Sequence, residues 1–342
     1  MISQAQAQLL PMCALAAAAV VLAWALTGLI VWGMSGDRHL AQPNERSMHE
    51  TPTSNIGGLA VVAAILALIL LWLWPAPRAL LIVAGCTGAL SLVSWLDHYR
   101  PLWPAVRLVA QGLAVAYALT LLPDGARLVP MLPLAAERVL LAIAWLWLIN
   151  LTNFMDGIDG IAGAEVALVA VGYIAVLLWP FEHLARMPGT VPLAAIMAGA
   201  CAGYLIWNWH PARIFMGDAG SIPLGFLMGY LMLDLAVRGH WASALILPLV
   251  FIADATWTLL ARLLRGDKLW RAHKTHFYQR AVQGAATPPM VVGRVTVANL
   301  CLIALAIYAR GAPISALLAA AAVVLVLLGA LSELARTKRQ VG

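Results

Sequence analysis

The sequence predicts an all-α polytopic membrane protein with about eleven transmembrane helices. Of its 342 residues, 63% are hydrophobic and only 11% are charged, whereas a soluble domain carries about 25% charged residues. The mean hydropathy is +0.88, and the apolar residues fall in runs close to the length of about 17–25 residues that crosses a bilayer. This composition excludes an ordinary soluble enzyme.

The apolar runs follow one another along the whole chain. They lie at about 9–33, 57–74, 79–96, 104–122, 137–152, 160–180, 191–207, 220–237, 242–262, 291–309 and 313–332. No basic residue precedes the first run, although a signal peptide would require one, so we interpret this run as a retained helix. No segment of the size of a soluble domain separates the runs, which predicts a single transmembrane domain over 1–342.

The basic residues predict the orientation, because lysine and arginine concentrate in cytoplasmic loops. With the N-terminus outside and the C-terminus in the cytoplasm, the inner loops and helix ends hold 15 of the 21 basic residues and the outer ones hold 6. The net charge of +6 therefore indicates cytoplasmic loops, chiefly the basic loop 263–290, and not a nucleic-acid partner. The four cysteines lie in apolar runs without a CxxC pair, which indicates neither a disulfide framework nor a zinc site.

Five polar segments fall at the predicted inner ends of these helices. They are DRHLAQPNERSMHETPTSNIGG (37–58), SWLDHYRP (94–101), NLTNFMDGIDG (150–160), NWHPARIFMGDAGS (208–221) and RLLRGDKLWRAHKTHFYQR (262–280). A transporter would place polar groups near the bilayer midplane and on both sides. The one-sided distribution favours an active site on the cytoplasmic face.

Carboxylates at two of these helix ends are candidates for a metal–diphosphate site. Mg²⁺ prefers one or two carboxylates together with water and phosphate oxygens, and Asp156 and Asp218 fit that preference. Helix capping is the alternative, by Asn153 or Asp156 in the first segment and by Asp218 ahead of a helix that begins near Gly220. Asp159 would lie on the same helical face as Asp156, and a single cap does not need a second carboxylate.

The segment 262–280 has two compatible interpretations. Its arginines, lysines and histidines could meet anionic lipid, or they could bind phosphate while aromatic residues stack on a base. Asp254 lies within an apolar run, where an acid is a functional candidate by default unless it only pairs with a neighbour such as Arg262. Glu165 and Asp234 lack such a motif, and we interpret them as structural.

Together, these motifs resemble the MraY/WecA family of polyprenyl-phosphate N-acetylhexosamine-1-phosphate transferases. The resemblance extends from about Asp37 to Arg280 and rests on PNERSMHETPTSNIGG, NLTNFMDGIDG, NWHPARIFMGDAGS and HKTHFYQRA. The HKTHFYQR form is more similar to the branch that initiates O-antigen or related glycans than to the peptidoglycan branch, whose loop has adjacent histidines.

The resemblance implies a fold of ten or eleven helices in the bacterial inner membrane, with the active site facing the cytoplasm. It also implies Mg²⁺ as cofactor, with Mn²⁺ as a substitute, a UDP-N-acetylhexosamine donor and undecaprenyl phosphate as acceptor. Family members further suggest a homodimer. The sequence does not name the donor sugar.

The resemblance also implies roles for individual residues. The expected metal ligands are Asp218, Asn153 and Asp156. The expected catalytic residues are Asp97, His98, Asp156 and Asp159. The expected contacts to the nucleotide and diphosphate are Asn153, Arg271, His273, Lys274 and His276. The expected contacts to the lipid phosphate are Arg46, His49 and Asn55.

Two positions depart from the family pattern. The family has two adjacent aspartates where this chain has Asp97 and His98, which puts a base role shared by such a pair in doubt. Asn55 replaces a basic residue, which suggests altered substrate contacts.

Two alternatives to an active family member remain. One is a transporter with a cytoplasmic metal site, and the other is a catalytically impaired family member. A CDP-alcohol phosphotransferase is set aside, because no arginine follows Asp156 in DGIDGIAG.

Overall fold

A computed structural model describes residues 4–33, 54–72, 76–123, 125–179, 189–268 and 273–337. Every regular element in these ranges is an α-helix. The helices are α1 Gln4–Gly33, α2 Gly57–Trp72, α3 Arg78–Tyr99, α4 Pro104–Leu119, α5 Leu134–Phe154, α6 Ile161–Leu178, α7 Thr190–Asn208, α8 Asp218–Val237, α9 Trp241–Ile246, α10 Leu249–Leu264, α11 Phe277–Gln283, α12 Pro288–Tyr308 and α13 Pro313–Arg336. The predicted all-α class is confirmed.

The chain is a multi-pass membrane protein, although the predicted count of about eleven spans is not confirmed. Within the described ranges, eight helices are long and apolar enough to cross a bilayer, namely α1, α3, α5, α6, α7, α8, α12 and α13. The apolar helices α2 and α4 have 16 residues each, which gives a length of about 24 Å against a hydrocarbon core of about 30 Å.

The predicted ninth run, 242–262, is two helices and not one. The first, α9, ends at Ile246, and α10 begins at Leu249 after Pro248. Proline interrupts a helix because it has no N–H to donate and its ring crowds the preceding turn. The predicted basic loop 263–290 is also partly helical, since it contains α11 and the first turn of α12.

The centre of the bundle is formed by α6, α7 and α8, which are the most deeply buried of the eight spans. Around them, α8 packs against α2, α3, α5 and α6, while α7 packs against α1 and α12 against α6. The N-terminus of α8 is therefore surrounded by the ends of several other helices. This arrangement decides which polar residues meet at one end of the bundle.

Residues 54–58 lie against the segment that leads into α8. The Phe215 amide donates to the Ser54 carbonyl at 2.7 Å, and the amides of Gly57 and Gly58 donate to the carbonyls of Phe215 and Met216, both at 2.9 Å. A Cβ atom on Gly58 would fall well inside van der Waals contact of the Gly220 Cα. Backbone therefore packs directly on backbone where α2 crosses α8.

We expect Gly58→Ala to destabilise the fold strongly, because the added methyl group meets backbone atoms that cannot move away. Overpacking of this kind costs about 1–3 kcal/mol or more. Gly85→Ala is the matched control, since no atom lies within 4 Å of a Cβ at that helical position. Melting temperatures of the two detergent-solubilised variants check the prediction, and equal melting temperatures would contradict it.

Candidate active site

The DGIDG segment forms a loop between α5 and α6, with α5 ending at Phe154 and α6 beginning at Ile161. Asp156 and Asp159 therefore do not share a helical face, and that prediction is wrong. The capping alternative is wrong too, because the N-cap position of α6 is Gly160, in a left-handed conformation with φ of 80°. Glycine adopts this conformation readily because it has no Cβ atom.

Asp218 is the first residue of α8 and does not cap a helix that starts at Gly220. Gly217 occupies the N-cap position with φ of 65°, and α8 has no side-chain cap hydrogen bond. A Cβ atom on Gly217 would clash with the Asn55 carbonyl, so this turn needs glycine for both conformation and space. The tight turn places the Asp218 carboxylate at the start of the central helix.

The ends of four helices meet at Asp218. Asn153, in the last turn of α5, donates its Nδ2 to Asp218 Oδ1 at 2.8 Å and to Ser221 Oγ at 2.9 Å. Arg107, in the first turns of α4, places Nη1 3.5 Å from Asp218 Oδ2 and 3.0 Å from Asp97 Oδ2 at the end of α3. We call Asp97, Asp156 and Asp218, together with Arg107 and Asn153, the carboxylate cluster.

Asp156 lies close enough to Asp218 for the two charges to interact. Burial and the negative charge of Asp218 raise the pKa of Asp156 to about 7, against a backbone hydrogen bond from Gly217 that favours the ionised form. The cluster thus places one partly buried acid beside another, with Arg107 as the nearby cation. Such an excess of negative charge favours a bound cation.

The cluster offers a few oxygen ligands for a metal ion and leaves the remaining coordination positions to water and substrate oxygens. Among the described residues, no group of three or more histidine, cysteine, aspartate or glutamate side chains is arranged to hold a metal ion. Asp156 and Asp218 could supply two carboxylates, and the Oδ1 atom of Asn153 could supply an amide oxygen. This donor set fits Mg²⁺, which retains several waters and takes further oxygens from substrate phosphates.

Arg107 is the member of the cluster that the sequence reasoning missed as a site residue. Asp97 contacts it through Oδ2 and accepts the Leu102 amide through Oδ1 at 2.6 Å, so both carboxylate oxygens are engaged. The available signal was a basic residue ten positions after Asp97, across a short connection between two apolar runs.

His98 is exposed in the last turn of α3 and packs edge-on against Tyr99, so the structure does not bring it into the cluster.

Asp159 holds a neighbouring loop. Its buried carboxylate lies 2.7 Å from His210 Nδ1 and accepts the Ala212 amide at 3.1 Å. Asn208 donates to the Ile214 carbonyl and accepts the Gly160 amide, both at 2.9 Å. These contacts fix the chain between α7 and α8, and they give the predicted catalytic residue Asp159 a supporting position.

The histidine motif lies beside the DGIDG loop. Tyr278 of α11 donates its hydroxyl to the Phe154 carbonyl at 2.9 Å, and a Cβ atom on Gly157 would clash with that hydroxyl oxygen. His273 and His276 stack with ring centroids 4.9 Å apart. The motif and the carboxylate cluster thus share one end of the bundle, as the sequence predicted.

The other residues predicted to contact the lipid phosphate or the nucleotide are Arg46, His49, Asn55, Arg271 and Lys274. Arg46, His49 and Arg271 lie outside the described residues. The side-chain Oδ1 of Asn55 is buried and has no hydrogen-bond partner among the described residues, and the contact of Asn55 to a lipid phosphate stays a prediction. Lys274 is partly buried, and its carbonyl accepts from Gln283 at 2.9 Å.

Three further polar residues connect helices. Asn150, which the sequence left without a role, donates to Gln111 of α4 at 2.9 Å. Glu165 accepts from Asn299 of α12 at 2.5 Å. Asp234 of α8 accepts hydrogen bonds from the hydroxyls of Tyr173 in α6 and Thr190 in α7, the latter at 3.3 Å. These contacts agree with the structural interpretation of Glu165 and Asp234.

Comparison with known proteins agrees with this geometry. Residues 80–236 match the model of glycosyl transferase family 4, a range that contains all five residues of the carboxylate cluster. A probable undecaprenyl-phosphate N-acetylglucosaminyl 1-phosphate transferase of Bacillus subtilis (strain 168) is 26% identical over 249 residues, covering 70% of this chain and 68% of the relative.

Two phospho-N-acetylmuramoyl-pentapeptide-transferases are similar as well. A phospho-N-acetylmuramoyl-pentapeptide-transferase of Mycolicibacterium vanbaalenii is 31% identical over 174 residues, which is 46% of this chain and 48% of that protein. The protein of the same name from Mycobacterium bovis (strain BCG) is 30% identical over 185 residues, half of each chain. Over residues 80–236, just under half of its length, the chain is therefore similar to glycosyl transferase family 4, which agrees with the resemblance of its motifs to the MraY/WecA family.

Proposed function

We propose that this protein transfers an N-acetylhexosamine 1-phosphate from a UDP-sugar to undecaprenyl phosphate and releases UMP. The observation that carries the proposal is the carboxylate cluster, which gathers the ends of α3, α4, α5 and α8 at one end of a membrane bundle. The acceptor is confined to the membrane and the donor is soluble, so a reaction between them must take place at such an end. The excess of basic residues in the predicted inner loops supports the cytoplasmic face of the bacterial inner membrane.

In the proposed reaction, an oxygen of the lipid phosphate attacks the sugar-bearing phosphorus of the donor. A new P–O bond forms as the bond from that phosphorus to the bridging oxygen breaks, and the bridging oxygen leaves with UMP. A phosphate monoester has a second pKa of about 6 and is mostly dianionic at neutral pH. Strong base catalysis is therefore dispensable, and cancelling the repulsion between two anions is the larger task.

The residues of the cluster suit that task. Arg107 lies between Asp97 and Asp218, where its positive charge would lower the repulsion between the acceptor phosphate and the donor diphosphate. Asp97 would keep Arg107 in position and orient the acceptor. Asp218, Asp156 and Asn153 would hold Mg²⁺, which when bound supplies neutralisation of the diphosphate and of the departing UMP.

The identity of the donor is a finer proposal. The relatives include proteins named for N-acetylglucosamine 1-phosphate transfer and for phospho-N-acetylmuramoyl-pentapeptide transfer. His273 and His276 are separated by two residues and not adjacent, which supports a UDP-N-acetylhexosamine donor and the first membrane step of a lipid-linked glycan of the O-antigen type. The resemblance also supports a homodimer.

A donor screen tests the proposed function directly. Purified protein is incubated with MgCl₂, undecaprenyl phosphate and, in parallel, UDP-GlcNAc, UDP-GalNAc or UDP-N-acetylmuramoyl-pentapeptide, and UMP is measured. We expect UMP release with a UDP-N-acetylhexosamine, dependent on the acceptor and abolished by EDTA. A transporter would release no UMP with any donor, and that outcome would contradict the proposal.

We expect His98→Asp to retain or raise the rate of UMP release. The His98 side chain is exposed and outside the cluster, and the substitution restores the carboxylate pair typical of the family. His98→Ala is the matched control, for which we expect a change within about twofold because surface substitutions usually have small effects. Complete loss of activity in both variants would show that His98 has a specific role.

A further inference from the structure

We infer that Asp254 is a positioning residue that fixes the histidine motif beside the active site, and that His276 acts through Asp254 and does not touch the substrate. This inference rests on the proposed function and deepens it. Asp254 lies on α10 and His276 precedes α11, the next helix along the chain. Both are almost completely buried, with 1% and 2% of their surfaces exposed.

Asp254 holds the N-terminus of α11 through its backbone. Its Oδ1 accepts the Phe277 amide and its Oδ2 accepts the Tyr278 amide, both at 3.1 Å. The first N–H groups of a helix have no partner within the helix, and a negative charge there also interacts favourably with the helix dipole. Because α11 has only seven residues, it is too short to be stable by itself, so its position depends on such contacts.

The same carboxylate orients the His276 ring. His276 Nδ1 lies 3.1 Å from Asp254 Oδ1, and the two form a hydrogen bond in the tautomer that carries its proton on Nδ1, because a carboxylate accepts. The ring also stacks with those of His273 and Tyr278, with centroids 4.9 and 5.7 Å away. His276 is thus buried among aromatic neighbours, whereas His273 is only partly buried.

On its other side, α11 contacts the loop that carries Asp156. The Tyr278 hydroxyl donates to the Phe154 carbonyl at 2.9 Å, at the end of α5 where the loop begins. A shift of α11 would therefore move the histidine motif relative to the carboxylate cluster. Through this connection Asp254 would influence donor binding without touching the donor.

The predicted alternative was a pair between Asp254 and Arg262. Asp254 contacts α11 instead, while Arg262 donates to the Lys268 carbonyl at 3.0 Å.

The first experiment measures the Michaelis constants of Asp254→Asn for both substrates. In this variant the asparagine NH₂ group replaces one of the two carboxylate oxygens. It then faces an α11 amide that is also a donor, so one of the two hydrogen bonds is lost. We expect the KM for the UDP-sugar to rise about 10- to 100-fold, as for other residues that orient a ligand-binding side chain, with an unchanged KM for undecaprenyl phosphate. Thr258→Val is the matched control, because Thr258 donates to the same carboxylate at 3.3 Å but has no hydrogen bond to α11. An unchanged donor KM would overturn the inference.

The second experiment compares His276→Asn with His276→Gln and does not depend on the Asp254 variant. An asparagine NH₂ group can replace Nδ1 of histidine as a donor to Asp254, whereas a glutamine NH₂ group reaches the position of Nε2. We expect His276→Asn to keep at least about fivefold more kcat/KM for the donor than His276→Gln. The reverse order would mean that His276 contacts the substrate through Nε2, and would overturn the inference.

A double-mutant cycle in melting temperature separates this inference from the proposed function, because it needs no turnover. The cycle uses Asp254→Asn, His276→Gln and the double variant in detergent. Residues in direct contact give non-additive effects, so we expect the double variant to melt close to the less stable single variant. Additive losses would overturn the Asp254–His276 coupling whatever the reaction, whereas absence of UMP release by the wild type would contradict the proposed function alone.

Discussion

Replacing Asp218 with asparagine is expected to lower the rate of UMP release by about 10³-fold or more, since loss of a single electrostatic stabiliser already costs about 10²–10³-fold. Asparagine has nearly the same shape and can still accept the 2.8 Å hydrogen bond from Asn153. The substitution therefore removes the charge and leaves the packing at the start of α8 intact. The measurement is UMP release at saturating donor, acceptor and MgCl₂, and Asp156→Asn is expected to behave in the same way.

Asp267→Asn is the matched control for Asp218→Asn. Asp267 is about half exposed and pairs with Arg262 and Arg265 at 3.6 and 3.5 Å, outside the carboxylate cluster. The pair with Arg265 is exposed and contributes little to stability, and the buried Arg262 keeps its hydrogen bond to the Lys268 carbonyl, so this variant should retain nearly full activity. A monodisperse Asp218→Asn protein with wild-type turnover would refute the metal role of Asp218.

Replacing Arg107 with methionine is expected to lower kcat/KM by about 10²–10³-fold, the range for loss of a charge that stabilises a transition state. Methionine keeps most of the apolar stem but removes the guanidinium between Asp97 and Asp218. The two carboxylates then lose their common partner, and the acceptor phosphate meets negative charge. Steady-state kinetics with both substrates measure the effect.

Two further variants complete that experiment. Arg107→Lys keeps the charge but not the planar fork of donors, so an intermediate rate is expected. Arg100→Met removes an exposed arginine just after α3, on the same predicted side of the membrane, and should have little effect. An equal loss in Arg100→Met and Arg107→Met would show that general surface charge matters and that the position of Arg107 does not.

The sequence predicted the helices well because apolar runs dominate it. Each of the eleven predicted runs overlaps a helix, since the bilayer demands both apolar side chains and internally satisfied backbone groups. Length alone does not show that a run spans the membrane, as α2 and α4 illustrate. Pro248 was visible in the sequence. A hydropathy value is an average over a window of residues, however, so a single proline does not interrupt a predicted apolar run.

The motifs predicted which segments meet, but not how each side chain is used. Asp156 and Asp159 have a helical spacing, yet the positive φ of Gly160 keeps them in a loop, and spacing carries no information about such a turn. The roles of Arg107 and Asp254 depend on side-chain contacts between different helices, which the motifs do not show. The contact of His276 with the nucleotide or diphosphate was predicted from the family resemblance, and the sequence did not show that this side chain is buried between α10 and α11.

Asp156 and Asp218, from elements distant in the sequence, are proposed to hold a single divalent cation. The most direct test is a titration of the purified protein with Mn²⁺, followed by electron paramagnetic resonance, with UDP-GlcNAc present and the acceptor omitted. We expect a single bound Mn²⁺ per chain in the wild type and in Asp267→Asn, and none in Asp218→Asn. Equal binding by the wild type and Asp218→Asn would contradict this proposal.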